Sequence, residues 1–199
     1  MLRWNRPFTI ILLLISFLPL LPANENIFIS TRHMPQYYTP CTTDTITINI
    51  WAPEPSEVHA FAVDEKPPDS WIIKKSISSK GTWDPIFKKI KWGYFSVNSL
   101  TSGTRELKYD IQYKIRPPEN FSSPVTFSGR ASYDGIIVNT IGENRMEPSG
   151  ITPSILIDHI LGVSKLQDDK RRAGDFNNDS QIDISDFILL IKALNTCEK

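Results

Sequence analysis

The chain has 199 residues, with 22 basic and 22 acidic side chains and 40% hydrophobic residues. This balance, with no basic excess or stripe, argues against nucleic-acid binding. The length suits one domain of ordinary size and a small additional module.

Residues 1–23 have the pattern of an export signal. Arg3 and Arg6 form a positive n-region, Thr9 to Leu21 is an apolar h-region, and Ala23 precedes a plausible cleavage site. A spanning helix needs about twenty apolar residues, so retention of this shorter segment as an anchor is the weaker alternative. Removing its two arginines leaves 20 basic and 22 acidic residues. We predict a secreted or cell-surface protein with no membrane span after signal removal.

The chain has two cysteines, Cys41 and Cys197. An oxidising destination permits a disulfide between them, which would tie the start of the first domain to the C-terminus. Two unpaired thiols are the alternative. Because no Cys-x-x-Cys motif and no Cys/His cluster is present, we expect no structural zinc site.

Residues 24–140 have the pattern of an antiparallel β-sandwich, with short β-branched and aromatic runs about every ten residues and turn residues between them. Thr43 to Trp51 alternates along its length, and Asp134-Gly135 is a hairpin signal because glycine tolerates the positive φ of such a turn. The other predicted strands are Val58 to Val63, Trp71 to Ser76, Ile90 to Phe95, Leu107 to Ile115, Val125 to Tyr133 and Ile136 to Val138.

Five segments of this part combine aromatic residues with turn residues. They are Thr39-Pro40, Val63 to Trp71, Gly81-Thr82-Trp83, Lys91-Trp92-Gly93 and Leu107-Lys108-Tyr109. Together they resemble the immunoglobulin-like repeat domains of bacterial surface proteins. The resemblance implies an immunoglobulin-like sandwich and no reaction, since these motifs describe packing and turns.

The acidic residues do not have the pattern of an active site, and we expect no enzyme activity. Glycosidases use two carboxylates about 5–10 Å apart. The candidates Glu54, Glu57, Asp64 and Glu65 lie at strand edges beside prolines, where solvated acids are ordinary.

Four tryptophans lie in or beside the predicted strands: Trp51, Trp71, Trp83 and Trp92. A flat row of them could stack on sugar rings. We favour packing, because a tryptophan offers up to about 250 Å² of area to bury. Carbohydrate binding by the sandwich stays an alternative.

A polar segment at residues 141–150 is predicted to be a linker, and residues 151–199 to be a small helical module. Thr152-Pro153 has the pattern of an N-cap with proline at the first helical position. Gly162 is expected to close this helix in a left-handed conformation. One apolar face is predicted for this helix and one for the next: Ile155, Leu156, Ile160 and Leu161, then Phe187, Leu190, Ile191 and Leu194.

A twelve-residue run between the two helices, Asp175 to Asp186, has the spacing of a calcium-binding loop. Side-chain oxygens stand at positions 1, 3, 5, 9 and 12, and position 7 offers its backbone carbonyl, which suits a hard cation that needs six to eight oxygens. An ordinary polar turn is the alternative, disfavoured by the apolar Ile182 at position 8. The predicted ligands of one Ca²⁺ are Asp175, Asn177, Asp179, Gln181, Asp183 and Asp186.

The two helical segments are repeats with an offset of 33 residues, which aligns Ile155-Leu156-Ile157 with Ile188-Leu189-Leu190. The same offset carries the five side-chain ligands of the loop onto Gly142, Asn144, Met146, Gly150 and Pro153. Only one of these can offer a side-chain oxygen. The first repeat therefore keeps the helix and has lost the metal site.

The loop, with Leu189-Leu190 behind it, resembles the type I dockerin family, in which two duplicated segments each combine a calcium loop and a helix. The resemblance implies calcium-dependent folding of an EF-hand-like module. It also implies docking on a cohesin-type scaffold or cell-surface protein in extracellular polysaccharide degradation. Ser180 replaces the family's glycine at loop position 6, and its left-handed backbone should weaken the site by about 1 kcal/mol or less.

The sequence thus favours an exported, non-catalytic binding protein, mainly β, with a sandwich followed by a helical module. One alternative is a structural cell-envelope protein, in which the calcium-stabilised helix pair packs on its own or on neighbouring sandwich domains.

Overall fold

The computed structural model describes residues 27–53, 58–76, 78, 81–96, 100 and 106–197. The predicted signal at residues 1–23 lies outside this part, and so do the candidate acids Glu54 and Glu57. The strands are β1 (Ile29–His33), β2 (Tyr37–Tyr38), β3 (Asp44–Ala52), β4 (Ala60–Lys66), β5 (Ile72–Ser76), β6 (Thr82–Asp84), β7 (Lys89–Phe95), β8 (Leu107–Arg116), β9 (Val125–Thr126), β10 (Ser128–Tyr133), β11 (Ile136–Asn139), β12 (Ile141–Gly142) and β13 (Arg145–Pro148). The helices are α1 (Pro153–Ile160), α2 (Asp168–Gly174) and α3 (Ile184–Asn195).

Two five-stranded sheets face each other across a shared core. Their strand orders are β12-β1-β3-β8-β5 and β11-β10-β4-β7-β6, and a small third sheet has the order β2-β13-β9. Trp92 of one large sheet packs on Tyr113 of the other, with ring centroids 6.1 Å apart. The expectation of a mainly β, sandwich-like fold is confirmed.

Strand β3 shows how the alternating pattern builds this core. Ile46, Ile48 and Ile50 are fully buried, and the residues between them point to the outer face. Opposite Ile48 on β8 lies Ile111, which is equally buried. Each such side chain contributes about 1.5–3 kcal/mol by leaving water, so a slip of one residue would expose the whole row.

The predicted hairpin at Asp134-Gly135 joins β10 to β11, where Tyr133 pairs with Ile136. Both turn residues have positive φ, 41° for Asp134 and 90° for Gly135, as a two-residue hairpin turn of this kind requires. This prediction is confirmed.

The tryptophans do not form an exposed row. Trp71 and Trp92 are buried in the core, while Trp83 is exposed and Trp51 is half-buried. Trp71 packs edge-on against Tyr38, with ring centroids 4.9 Å apart. The preference for packing is therefore correct for Trp71 and Trp92.

The segment predicted to be a linker, residues 141–150, instead forms strands that pair into a large sheet and into the small third sheet. Strand β12 pairs in parallel with β1, and β13 pairs with both β2 and β9. Met146 is fully buried. The polar, glycine-containing composition suggested a linker because the partners of these short strands lie far away in sequence.

One acid expected to be solvated is fully buried. Glu65 on β4 accepts from Arg32 Nε and Nη2 of β1 at 2.7 and 2.9 Å, and Tyr113 also donates to it. Gly129 leaves room for this pair, since a Cβ at that position would collide with the Glu65 carboxylate. Burial raises the pKa of the Tyr113 phenol well above its usual value.

Helix α1 begins and ends as predicted. Thr152 Oγ1 accepts from the amide of Ile155 at 3.3 Å, proline stands in the first turn, and Gly162 has a φ of 73°. The buried face is narrower than predicted, because Leu156 is buried while Ile155 and Leu161 are exposed. No helix in the described part of the chain is long and apolar enough to cross a membrane.

The helices are fastened to the sandwich by covalent and polar contacts. A disulfide joins Cys41 to Cys197, which settles the pairing that the sequence left open. Arg116 at the end of β8 donates to the carbonyl of Thr196 at 3.2 Å. Tyr37 of β2 donates to Asp169 of α2 at 2.9 Å.

Candidate metal centre

The loop of residues 175–186 begins directly after α2 and runs into the first turn of α3. Helix α2 was not predicted, since its charged sequence, Asp168 to Gly174, lacks an apolar stripe. Gly174 at its end is buried, and a Cβ there would lie 3.1 Å from Leu166 and 3.5 Å from Leu156. This close packing places the start of the loop against the small core of the helices.

The first half of the loop folds around the side chains of positions 1, 3 and 5. Asp175 accepts from the amides of Asp179 and Ser180 at 3.1 and 2.8 Å. Asn177 Oδ1 accepts from the amide of Asp179 at 2.9 Å, and Asp179 accepts from the amide of Gln181 at 2.8 Å. The three side chains therefore belong to one hydrogen-bonded group.

The buried carboxylate of Asp186 at position 12 joins the two ends of the loop. Its Oδ1 accepts from the amides of Phe176 and Asn177 at 2.7 and 3.2 Å. Its Oδ2 accepts from the amide of Asp183 at 3.0 Å, while Asp183 accepts from the amide of Ser185 at 2.7 Å. Asp183 and Asp186 thus form a capping box at the start of α3.

Ser185 connects the last part of the loop to the first. Its hydroxyl donates to Asp183 Oδ1 at 2.6 Å and accepts from Asn177 Nδ2 at 2.9 Å. The hydrogen bonds from the Ser185 side chain and amide hold the pKa of the Asp183 carboxyl below its usual range. Asp183 therefore remains ionised in neutral solution.

The backbone is left-handed at two loop positions, with φ of 61° at Asn178 and 70° at Ser180. The expected left-handed conformation at position 6 is confirmed. Asparagine tolerates this region better than serine does, so Ser180 carries the larger strain.

The five predicted side-chain ligands are close in sequence, and each of them accepts a hydrogen bond from at least one backbone amide. Gln181 is exposed between the two halves of the loop. Throughout the described residues, no three His, Cys, Asp or Glu side chains come together as a group that could hold a metal ion. An ionised carboxylate has about four lone-pair sites, so these aspartates keep acceptor capacity beyond the amides they bind.

Two arginines beside the loop were not singled out from the sequence. Arg171 and Arg172 of α2 line a cleft of about 380 Å³ together with Asp175 and Asn178. The charged stretch before the loop was visible in the sequence, but its helical form was not. These arginines place positive charge next to loop position 1.

The comparisons with known proteins give only distant likenesses. No protein-family model and no curated protein matches the sequence. A cohesin module of a Clostridium perfringens family 33 glycoside hydrolase is 12% identical with a TM-score of 0.45, over 62% of this chain and 97% of the module. A full-length major pilin of Corynebacterium diphtheriae is 12% identical with a TM-score of 0.46, over 59% of this chain and 34% of the pilin.

A non-cellulosomal cohesin from the archaeon Archaeoglobus fulgidus is 13% identical with a TM-score of 0.33, over 61% of this chain and 94% of that one. At these identities and TM-scores the likenesses add nothing to the sandwich-like architecture described above.

Proposed function

We propose that the chain is an exported, non-catalytic binding protein whose residues 175–186 bind one Ca²⁺ and whose helices dock on a protein partner. One observation carries the proposal. Oxygen atoms that can bind a cation stand at all six calcium-binding positions of the loop, which begins after α2 and runs into α3. The backbone of the loop already curls around its first three ligand side chains.

The charge of the loop explains what the ion would contribute. Four aspartates, at positions 1, 5, 9 and 12, carry four negative charges within twelve residues. Their mutual repulsion opposes the folded loop, and a dication that binds oxygen ligands removes much of it. The side chains of Asp175, Asn177, Asp179, Asp183 and Asp186 and the carbonyl of Gln181 would hold the ion.

The docking face would lie on the helices, where apolar side chains are exposed. Ile184 and Ile188 are 54% and 46% exposed, and their spacing of four residues puts them on one face of α3. Ser185, between these two positions, is engaged within the loop. The dockerin resemblance implies a cohesin-type partner for such a face.

Calcium binding is tested by titration calorimetry and thermal unfolding of the full chain in calcium or in EDTA. A ligand at one hundred times its Kd stabilises the protein that it binds by about 2.7 kcal/mol. We expect Asp179→Asn, which keeps the hydrogen-bond acceptor but removes a charge, to abolish most of this gain. Asp110→Asn, an exposed aspartate on β8, is the matched control and should behave as the wild type.

Indifference of the wild-type protein to both calcium and EDTA would refute the calcium proposal.

Docking is tested by capture of the chain on immobilised cohesin modules, with calcium or with EDTA. Ile184→Asp should abolish capture, whereas Ile137→Asp, which alters a somewhat more exposed isoleucine on β11, should not. Equal capture of the two variants, or no capture by any cohesin module, would remove the cohesin-type partner from the proposal.

A structural role is the second candidate, and the tethers between helices and sandwich favour it. The disulfide and the hydrogen bond from Arg116 to Thr196 hold the helices on the chain's own sandwich. In this role calcium would stabilise the module without any external partner. A protein that is stabilised by calcium but captured by no cohesin module would support this candidate over docking.

Carbohydrate binding by a flat row of tryptophans on the sandwich is disfavoured, since Trp71 and Trp92 are buried in its core. Of the four candidate acids, Asp64 and Glu65 do not form a catalytic pair, because Asp64 lies on the outer face near Lys89 while Glu65 is buried beside Arg32.

A further inference from the structure

The hairpin of β6 and β7 carries two large apolar side chains into solvent at its tip. Ile86 is 84% exposed and Phe87 is 62% exposed. They stand next to each other in the turn of residues 85–88, which joins the two strands. The proposed docking on α3 does not involve them. Two adjacent apolar side chains held in water at a loop tip indicate a surface that meets a partner.

The turn is held in one shape by its own contacts. Asp84 Oδ1 accepts from the amides of Ile86 and Phe87 at 3.0 and 3.1 Å, and Asp84 Oδ2 accepts from Lys91 Nζ at 2.7 Å. The same ammonium group lies 5.0 Å from the centre of the Phe87 ring. Because the tip is ordered before any partner arrives, binding through it costs little conformational entropy.

The turn after β4 adds positive charge beside the tip. Asp69 in this turn lies 4.0 Å from Lys66 Nζ and 3.9 Å from Lys88 Nζ. One carboxylate therefore serves two lysines. About half of each lysine side chain is exposed, and Lys88 directly follows Phe87 in the chain. The exposed ammonium groups are thus available to a negatively charged partner.

The outer face of the sheet behind the tip has the same arrangement. Asp64 Oδ2 on β4 lies 3.4 Å from Lys89 Nζ and 3.9 Å from Arg130 Nη2. Together with the pair of Lys91 and Asp84, the ion pairs around the tip combine five cations with three carboxylates. The excess is two positive charges.

An apolar tip with positive charge at its base matches the layers of an anionic lipid bilayer. Such a bilayer presents phosphate groups at its surface and hydrocarbon directly beneath them. Lysines near the surface are attracted to anionic headgroups, and apolar side chains that pass between the headgroups gain free energy by leaving water. The flexible lysine stems let the ammonium groups stay at headgroup level while the tip goes deeper.

We propose that the tip of the β6–β7 hairpin inserts Ile86 and Phe87 into the interface of a bilayer that contains anionic lipid. The cations at the base of the tip bind the headgroup phosphates. This membrane contact goes beyond the proposed function, and it uses neither the loop of residues 175–186 nor the exposed face of α3.

The test is co-sedimentation of the full chain with lipid vesicles in EDTA. One set of vesicles is phosphatidylcholine alone, and the other contains equal parts of phosphatidylcholine and phosphatidylglycerol. We expect the anionic vesicles to bind the chain at least about tenfold more tightly, with an affinity that falls as salt is added. EDTA prevents calcium from bridging the loop to phosphates, so the outcome does not depend on the calcium proposal.

A double variant assigns the binding to the tip. Ile86→Ser/Phe87→Ser should weaken binding to the anionic vesicles about tenfold or more, because both side chains lose their gain from leaving water. The matched control is Ile136→Ser/Ile137→Ser, which alters two adjacent exposed isoleucines on β11. This control and Ile184→Asp on α3 should both bind like the wild type.

A charge variant tests the contribution of the cations. Lys88→Gln should weaken binding to the anionic vesicles about fivefold and leave binding to the neutral vesicles unchanged. Lys108→Gln alters an exposed lysine on β8 and should have no effect on either.

Insertion itself is measured with vesicles whose acyl chains carry bromine, which quenches indole fluorescence within the hydrocarbon layer. Phe87→Trp should be quenched. Phe95→Trp is the control, since Phe95 is 82% exposed and lies at the other end of β7, about 20 Å along the strand from its start. Both variants keep the wild-type tryptophans, so the difference between them reports the added indole.

Three results would each overturn the proposal. They are no binding to the anionic vesicles, an equal effect of the tip variant and its β11 control, and equal quenching of Phe87→Trp and Phe95→Trp. The first of these would favour an acidic protein with an apolar pocket as the partner of the tip.

Discussion

The sandwich and the helical module are held together by different kinds of interaction. Among the described residues, the sandwich core contains 21 buried hydrophobic side chains from both large sheets, whereas the module has three, Ile151, Leu156 and Leu190. So small a core supplies little stability by itself. The sandwich can depend on hydrophobic burial, while the module must depend on its tethers and on the order of its loop.

Removing the disulfide should have the largest effect on the difference in stability between the two regions. The bond closes a loop with a sequence separation of 156 residues, and a loop of that length restricts the unfolded chain by about 5 kcal/mol in the chain-entropy estimate. In the double variant Cys41→Ser/Cys197→Ser, we expect amide hydrogen exchange to rise first in α1 to α3, while β3 and β8 remain protected.

Fully reduced wild-type protein should reproduce this pattern and is the control. Equal loss of protection in the helices and in β3 would show that the two regions unfold as one unit.

The buried ion pair of Arg32 and Glu65 provides the converse test, in which the sandwich should lose stability. Arg32→Met leaves the Glu65 carboxylate unpaired in the core, and such a change costs about 3–5 kcal/mol. Urea unfolding should show this loss, and the double variant Arg32→Met/Glu65→Leu should regain most of it. Arg130→Met, an exposed arginine on β10, is the control. A single variant no less stable than this control would contradict a stabilising pair.

Asp44 makes the junction between the two regions sensitive to pH. Its pKa is about 7 in the folded chain against an ordinary value of 3.8 for an aspartate, so the folded state binds more protons between these values and stability falls as pH rises through the window. At about 1.4 kcal/mol for each pH unit between the two values, the cost at pH 8 is up to about 4 kcal/mol.

Asp44→Asn should therefore be more stable than the wild type at pH 8, with the difference shrinking towards pH 4 in urea unfolding. Asp110→Asn should show no such trend. A difference between Asp44→Asn and the wild type that stays constant from pH 4 to pH 8 would contradict the assignment.

The smallest effect is expected at the left-handed residues of the loop. Ser180→Gly relieves the backbone at φ 70° and should raise stability by about 1 kcal/mol or less, measured by thermal unfolding in EDTA. Asn178→Gly is the matched change at φ 61° and should gain less, since asparagine tolerates this region. Equal gains from the two changes would show that asparagine is no better tolerated than serine at these positions.

The sequence allowed correct prediction of several elements whose structure depends on neighbours along the chain. The alternation before Trp51 predicted β3, and Thr152-Pro153 predicted the start of α1. The pair Asp134-Gly135 predicted the hairpin that joins β10 to β11. Each signal is local, because strand alternation, turn conformation and helix capping involve residues only a few positions apart.

Prediction failed where a residue depends on a distant partner. Glu65 looked like a solvated acid because its partner Arg32 lies 33 positions away on another strand. Strand β13 looked like a linker, since it pairs with β2 across more than one hundred residues. A cleft between the sandwich and the helices is lined by residues of β2, β3, β8, α2 and α3, and no spacing within one segment reveals such a set.

The disulfide also determines how the chain responds to mechanical load. Tension applied between Ile27 and Cys197 passes directly into Cys41, because residues 42–196 lie inside the covalent ring. Only residues 27–41 can then be drawn out, which is at most about 50 Å of contour, compared with about 600 Å for the reduced chain. The oxidised molecule can therefore extend by less than about a tenth of the reduced length under such a pull, and the whole helical module and the strands after β2 lie outside the path of the force.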